Sequence, residues 1–331
     1  MKFDATIFVD DLKAIPALAQ EIEAMGFDAL WIPETTHSPL AALVLAGHAT
    51  RKLKLGTAIA VAFARSPTLM AYESWDLAQI TDGRFMLGLG TQIRAHITRR
   101  FGMDWDAPGS RMREYVQVVR GVWNTFQTNE RINFRGEHYK VTLMTPFFQP
   151  APLKNPEIPI YIAAVGPYLC RVAGEVCDGI HVHSFHTVDY LQKVMLPNIE
   201  EGLTSSGRTR TDISLHSSVF AVTNEQDAVL AKSQIAFYAS TPAYRPVLEL
   251  HGWGDLQDKL GGMTKRGQWS EMHELISDEM LATFAVVAEP GELGAAVRER
   301  YDGLLDRVSL YLPFVPGERQ DLWKTTLTAF H

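Results

Sequence analysis

Apolar positions along this chain come in short continuous runs separated by longer stretches of helical spacing. Phe3 to Val9 reads as a strand, followed by a helix from Leu12 to Met25 that Asp10 or Asp11 can cap and Gly26 closes. Phe27 to Pro33 is the second strand; Ser38-Pro39 then opens a helix running through Thr50, with Ser as N-cap and Pro in the first turn. Leu53 to Val61 is the third strand, Ser66-Pro67 starts another helix in the same way, and Arg84 to Gly90 is the fourth strand. Strands separated by single helices at such short spacing pair in parallel.

After Thr91 the rhythm breaks. A loop reaches to about Ser110, a helix covers Arg111 to Gln127, and a hairpin pairs Arg131–Phe134 with His138–Leu143 around Arg135-Gly136. Pro146, Pro150, Pro152, Pro156 and Pro159 mark the return to the body. Ile160 to Val165 is strand five, Tyr168 to Val176 a helix, Gly179 to His183 strand six, Val188 to Ser205 a helix, and Ile213 to Thr223 strand seven. A mostly helical excursion over residues 225–281 precedes a helix begun by Pro290-Gly291 and the eighth strand, Val308 to Leu312. Eight strands, nearly all followed by helices, predict a TIM (β/α)8 barrel rather than an open doubly wound sheet. With no repeat or linker in view, residues 1–331 read as one α/β domain with insertions at about 92–110, 128–158 and 225–281.

Composition narrows the function without naming it. Hydrophobic residues make up 46% of the 331 and charged residues 21%, which is ordinary for a globular protein. A formal charge of −7 argues against a nucleic-acid footprint and against a polybasic membrane surface. Two cysteines, Cys170 and Cys177, are too few for a disulfide framework and sit seven apart on a helical pattern that faces them to a core. The first residues carry no signal-peptide pattern, and no run reaches the roughly 18 apolar residues of a membrane span, so the expected compartment is the cytoplasm.

In such a barrel the chemistry lies at the carboxyl ends of the strands. Here those ends are Val9-Asp10, Glu34 to His37, Ala60 to Phe63, Gly90-Thr91-Gln92, Ala164 to Pro167, His183 to His186, Thr223 and Pro313. The stretch Thr81 to Gln92 sets the frame: Asp82-Gly83 stops a helix, and Gly88 and Gly90 leave bare backbone where something can approach closely. A dinucleotide fingerprint does not fit, because Gly88-x-Gly90-x-x-Ile93 lacks the third glycine and runs into a polar loop.

Several motifs together resemble the bacterial luciferase-like superfamily, and within it the branch of oxidoreductases that use the deazaflavin coenzyme F420. They are Gly26-Phe-Asp-Ala-Leu-Trp31, Leu55-Gly-Thr-Ala-Ile59, Asp82-Gly-Arg-Phe-Met-Leu-Gly-Leu-Gly-Thr91, Arg111-x-Arg-Glu-Tyr115, Pro159-Ile-Tyr-Ile-Ala-Ala-Val-Gly-Pro167 and Ala173-Gly-Glu-Val-Cys-Asp-Gly179. The resemblance implies a barrel that holds a flavin-type ring in a strand-end cleft. It places a non-prolyl cis peptide in a strand-three bulge at Ala58-Ile59, against one ring face. It assigns Ala164, Gly166 and Pro167 to the cofactor phosphate, and Thr91 with Gln92 to the ring edge. The phosphate assignment has its own physics, since Gly166 permits a tight turn and Pro167 begins a helix whose amides and dipole attract anions. A homodimer through the helices over residues 38–50 and 67–81 is implied as well.

Glu34 and His37 are the acid/base candidates. Hydride cannot leave an alcohol unless the hydroxyl proton also leaves, and a histidine with a pKa of about 6.5 suits that work. In the sugar-phosphate dehydrogenases of the branch an acid and a histidine stand adjacent here; in this chain two residues separate them, which leaves the proton acceptor open. His96 on the loop over the mouth, and His183, are candidates to meet a small-molecule substrate. His181, His183 and His186 also permit a metal reading, but a barrel metallohydrolase wants His-x-His on strand one, where only Asp4 and Asp10 stand. The expectation is therefore an F420-dependent oxidoreductase without a metal. An FMN-dependent monooxygenase is the alternative, with Arg111 and Arg113 suited to its phosphate, and a metal-dependent hydrolase or an inert flavin-binding subunit lies outside that class.

Overall fold

The computed structural model describes residues 1–331. Eight strands form the barrel: β1 Lys2–Thr6, β2 Ala29–Ile32, β3 Lys54–Thr57, β4 Phe85–Gly90, β5 Ile160–Ala164, β6 Gly179–Val182, β7 Ser214–Val222 and β8 Arg307–Leu310. Each pairs in parallel with its sequence neighbours, and β8 pairs with both β7 and β1, which closes the ring. A closed parallel ring leaves no free strand edge and needs a layer of helices outside it. That layer includes α1 Ile15–Met25, α2 Pro39–Ala49, α3 Pro67–Ile80, α4 Pro108–Thr128, α5 Pro167–Val176 and α6 Leu196–Ser205. No helix is long and apolar enough to cross a membrane.

Local chemistry sets the element ends. Ser66 accepts the Leu69 N–H at 3.1 Å to cap α3, whose far end is turned by Asp82 (φ 52°) and Gly83 (φ 77°). Gly88 and Gly90 are bare for close approach: a Cβ at Gly88 would lie 1.8 Å from the Thr57 carbonyl oxygen, and one at Gly90 would lie 2.6 Å from the Ile59 side chain. Cys170 and Cys177 are both fully buried free thiols, as their spacing implies.

The structure departs from the sequence reading at five places. The eighth strand starts at Arg307, a polar residue that an apolar scan passes over, because its guanidinium points inward onto the buried Asp4 carboxylate at 2.7 and 2.8 Å. The helix from Val188 opens into a wide π turn at Leu191–Met195, next to Pro197, which cannot supply an amide to an ordinary turn. The hairpin is short, Phe134–Arg135 against Lys140–Val141, because Glu114 of α4 takes the amides of Glu137, His138 and Tyr139 at 2.7, 2.8 and 3.0 Å. A three-residue strand, Ala285–Val287, adds to the outer end of β7, and a last helix, α7 Gln320–Thr328, packs its Leu322 and Trp323 into the core.

Candidate active site

The barrel interior is identified by contacts across it. Trp31 of β2 meets the rings of Tyr161 (β5), His181 (β6) and His216 (β7) at 5.4, 4.7 and 5.1 Å, and donates its indole N–H to Asp4 (β1) at 2.7 Å. These side chains therefore point inward, and the period of two along a strand carries that direction upward. The next inward positions toward the carboxyl ends are Thr6, Ala163, His183, Ser218 and, past Ser309, Tyr311. All five are partly open to solvent although they stand over the centre of the fold, and Phe8 above Thr6 is 48% exposed. The lower layer is sealed; the upper layer is a cleft at the barrel mouth.

One wall of this cleft is the extension of β3. The Ala58–Ile59 peptide is cis, where the resemblance places it, and both residues are half-exposed. The chain then re-pairs with β4 through Ala60–Val61. Glu34, at the end of β2, holds this extension from two sides. Its backbone N–H donates to the Ile59 carbonyl at 3.1 Å, and its carboxylate accepts the Val61 N–H at 2.7 Å and both terminal nitrogens of Arg65 at 2.8 and 3.0 Å. A forked guanidinium on a shielded carboxylate is among the strongest ionic contacts available. Glu34 forms no hydrogen bond with His37. The His37 ring instead reaches across the mouth to the Asp10 carbonyl, 3.3 Å from Nε2. A carbonyl can only accept, so Nε2 carries a proton, and in the neutral ring Nδ1 keeps the free lone pair.

On the other side of β4 from the bulge, α5 begins at Pro167 with Gly166 as N-cap and no side chain bonded to its first amides. Space beside Gly166 is open: a Cβ there would meet nothing within 4 Å. Uncapped amides at a ten-residue helix, next to vacant space at the mouth, fit an anionic phosphate. Tyr190 donates to the Val165 carbonyl at 3.3 Å and steadies this turn. Ala164 is buried in β5 and supports the loop from within. Thr91 and Gln92 leave β4 at the rim; Gln92 sits at φ 62° with its Oε1 accepting the Ile93 N–H at 3.0 Å. Arg113 is forked onto Glu175 at 2.6 and 3.2 Å, whereas Arg111 lies over the Phe63 ring and lines a polar cleft of about 650 Å³ beside the mouth. His96 is exposed on a π turn, His96–Arg100, and makes no side-chain hydrogen bond.

The histidines separate into different tasks. His181 pairs Nδ1 to Nδ1 with His216 at 2.9 Å, in a buried chain that continues through Ser309 to Thr6. Burial pushes His181 down to about 3, and its Nε2 has no partner of good geometry, although the Thr57 carbonyl lies near. His183 faces the cleft, and His186 turns back to the His183 carbonyl at 2.8 Å. Burial, reinforced for His183 by the neighbouring His186, pushes each of these rings down to about 4. No group of three or more His, Cys, Asp or Glu side chains is arranged to hold a metal ion.

Two contributors were missed from sequence. Arg65 gave no motif signal, and its role depends on a partner 31 residues away. Tyr311 lies just past β8, and Tyr238 and Tyr244 lie in the excursion over residues 225–281. In the structure Tyr238 joins Tyr311 hydroxyl to hydroxyl at 2.7 Å, and Tyr244 meets His183, so all three line the mouth.

Comparison with known proteins agrees with the fold. An uncharacterized protein of Mycobacterium tuberculosis is 43% identical over all of this chain and 98% of its own length. The F420-dependent glucose-6-phosphate dehydrogenase of Intrasporangium calvum is 28% identical, covering 88% of this chain and 86% of that protein. The solved structure of coenzyme F420 dependent tetrahydromethanopterin reductase from Methanopyrus kandleri superposes with a TM-score of 0.80 at 21% identity, covering 99% of this chain and 97% of that one, a likeness of fold. The sequence model of the luciferase-like monooxygenase family matches residues 4–307. A match of that extent, on a closed barrel with an open upper rim, makes this chain a member of the luciferase-like monooxygenase family.

Proposed function

We propose that the chain is an oxidoreductase that binds coenzyme F420 across the barrel mouth and transfers hydride between it and a small organic substrate. The observation that carries this reading is the solvent-open upper layer, with a half-exposed Ala58–Ile59 platform and the uncapped start of α5 flanking the end of β4. The glucose-6-phosphate dehydrogenase relative, 28% identical, is named as F420-dependent. A bound deazaflavin supplies a ring carbon that accepts or gives a hydride. The chain's own residues do the rest. Ala58 and Ile59 would support the ring, the amides of Gly166 and of Tyr168 and Leu169 in the turn that Pro167 opens would hold the phosphate, and Thr91 with Gln92 would bound the ring edge.

The proton belongs to His37 in this scheme. Its Nδ1 is free at the rim, while both carboxylate oxygens of Glu34 are engaged by Arg65 and Val61. Glu34 acts by keeping the β3 extension in place. The family's description as monooxygenases supports a second reading, in which reduced FMN occupies the same cleft and activates oxygen. An equilibrium titration following cofactor fluorescence separates the two. Saturable binding of F420 that excess FMN does not displace supports the first reading. FMN binding with no response to F420, together with oxygen uptake on adding reduced FMN, moves the assignment to the second.

A further inference from the structure

We propose that Tyr244, positioned by His183, presents a hydroxyl hydrogen-bond donor to the oxygen of an uncharged carbonyl or alcohol substrate at the rim over β6–β8. This rests on the reading of the mouth as the place where substrate meets cofactor, and it names the substrate's chemical class.

The argument is a count of protons around the aromatic wall. His183 Nδ1 lies 3.0 Å from the Phe185 N–H and accepts from it, so that nitrogen bears no proton. A neutral ring then carries its hydrogen on Nε2, and burial keeps this ring neutral at ordinary pH by pushing it down to about 4. Nε2 lies 3.2 Å from the Tyr244 hydroxyl, so His183 donates and Tyr244 accepts. The Tyr244 hydroxyl has no other hydrogen-bond partner, and its own proton is left pointing away from His183.

The other two hydroxyls of the wall are committed. Tyr311 lies 3.3 Å from Gln234 Oε1, which can only accept, so the Tyr311 proton goes there. The 2.7 Å contact between Tyr238 and Tyr311 therefore takes its proton from Tyr238. One donor remains, on Tyr244, whose ring lies tilted by 31° against His183 at 4.7 Å and is half-buried at the cleft.

Charge fixes the class of ligand. No lysine or arginine stacks on, or hydrogen-bonds to, the rings of His183, Tyr238, Tyr244 or Tyr311. Arg245, next in sequence to Tyr244, turns away onto Glu249 and Asp258 at 2.8 and 2.9 Å. An anionic group against this wall would lose its hydration with no cation to replace it, whereas a neutral oxygen needs only a donor. The surrounding ring faces, including Phe185 at 5.7 Å from Tyr244, favour an apolar body on that substrate.

The test uses acetophenone as the neutral probe, with benzoate and phenyl phosphate as anionic counterparts, titrated calorimetrically into the protein with and without F420. The expected result is measurable acetophenone binding and at least tenfold weaker binding of both anions. Tyr244→Phe should weaken acetophenone about three- to tenfold, the range of one hydrogen bond, without changing F420 affinity. His183→Leu should weaken it similarly, while His183→Gln, which keeps a donor toward Tyr244, should restore most of the loss. Absent acetophenone binding, an unchanged affinity in Tyr244→Phe, or anions that bind as well as the ketone would overturn the proposal. Failure of F420 alone to bind would count against the cofactor assignment and leave the ketone result to judge this one.

Discussion

Asp227 is sealed from solvent beneath the end of β7 and receives Arg319 on both oxygens at 2.6 and 3.0 Å, the Thr223 hydroxyl at 2.7 Å and the Asn224 amide at 3.0 Å. Burial alone would raise this carboxyl, but the Arg319 and Thr223 hydrogen bonds outweigh it and hold it below its ordinary value. Its stabilisation is present above the unfolded carboxylate pKa and is lost as pH falls through the lower folded one. Asp227→Ala strands the guanidinium and frees the C-terminal segment. Because Arg319 is about one-third exposed, the expected loss is toward the lower end of the roughly 3–5 kcal/mol for a broken buried pair, read as a fall in urea midpoint. A midpoint within error of wild type would show that the pair does not anchor that segment.

His181 and His186 act in the opposite sense to most titrating histidines. Their folded values, about 3 and about 4, lie below the unfolded value of about 6.5, so the unfolded chain binds more protons in between. Stability should therefore be flat above pH 6.5 and fall by about 1.4 kcal/mol per histidine per pH unit as pH drops through that window. Urea midpoints compared at pH 7.5 and 5 test this; equal midpoints would mean that the rings are hydrated or already charged.

Among the elements, the β3 extension carries the site, and Glu34 holds it. Glu34→Gln keeps the shape but loses the charge that the Arg65 fork requires, and should weaken F420 binding several-fold. His37→Asn, which touches none of the wall, should leave that affinity unchanged. Equal effects from both substitutions in a fluorescence titration would remove the distinction between holding the platform and moving the proton. Gly88→Ala probes the partner strand: its methyl group would lie 1.8 Å from the Thr57 oxygen, so β3 and β4 must part. Overpacking typically costs about 1–3 kcal/mol, and a backbone neighbour that cannot rotate aside puts this case at the upper end.

The same elements explain what could be read from sequence. Gly88 and Gly90 announced a close approach, but the approaching groups, the Thr57 carbonyl and the Ile59 side chain, come from the neighbouring strand and leave no local mark. Glu34 was visible as a polar residue at a strand end. Its partner Arg65 was not, because a salt bridge between two loops has no period. Ser66-Pro67 and Gly166-Pro167 gave helix starts correctly, since caps and proline act within one turn. Ala285–Val287 and α7 were missed because three residues are too few for a period, and because α7 opens at Arg319 (φ 50°) without a side-chain cap.

At the scale of the molecule, the eight-fold strand and helix rhythm was legible because each strand is apolar and each helix is punctuated. The direction of the barrel, and hence which end is open, followed from the fold alone. The mouth's chemistry was less legible: His183, Tyr244 and Tyr311 lie far apart in sequence and meet only because β6, the excursion after β7, and β8 share one rim. Val44, Leu45 and Leu69 stay exposed on α2 and at the start of α3, and the homodimer expected there should appear as twice the chain mass in light scattering. Leu45→Asp with Leu69→Asp should return it to the monomer mass; a wild-type chain that is already monomeric would dispose of that expectation.

The most direct measurement of the central claim is a crystal structure of the protein grown with F420. The deazaflavin ring should lie in van der Waals contact with Ala58–Ile59, with its phosphate on the first amides of α5 beside Gly166 and its other side toward His183 and Tyr244. A ring seated outside the upper layer of the barrel, or a phosphate held in the Arg94–Arg111 cleft with the start of α5 left bare, would contradict the account.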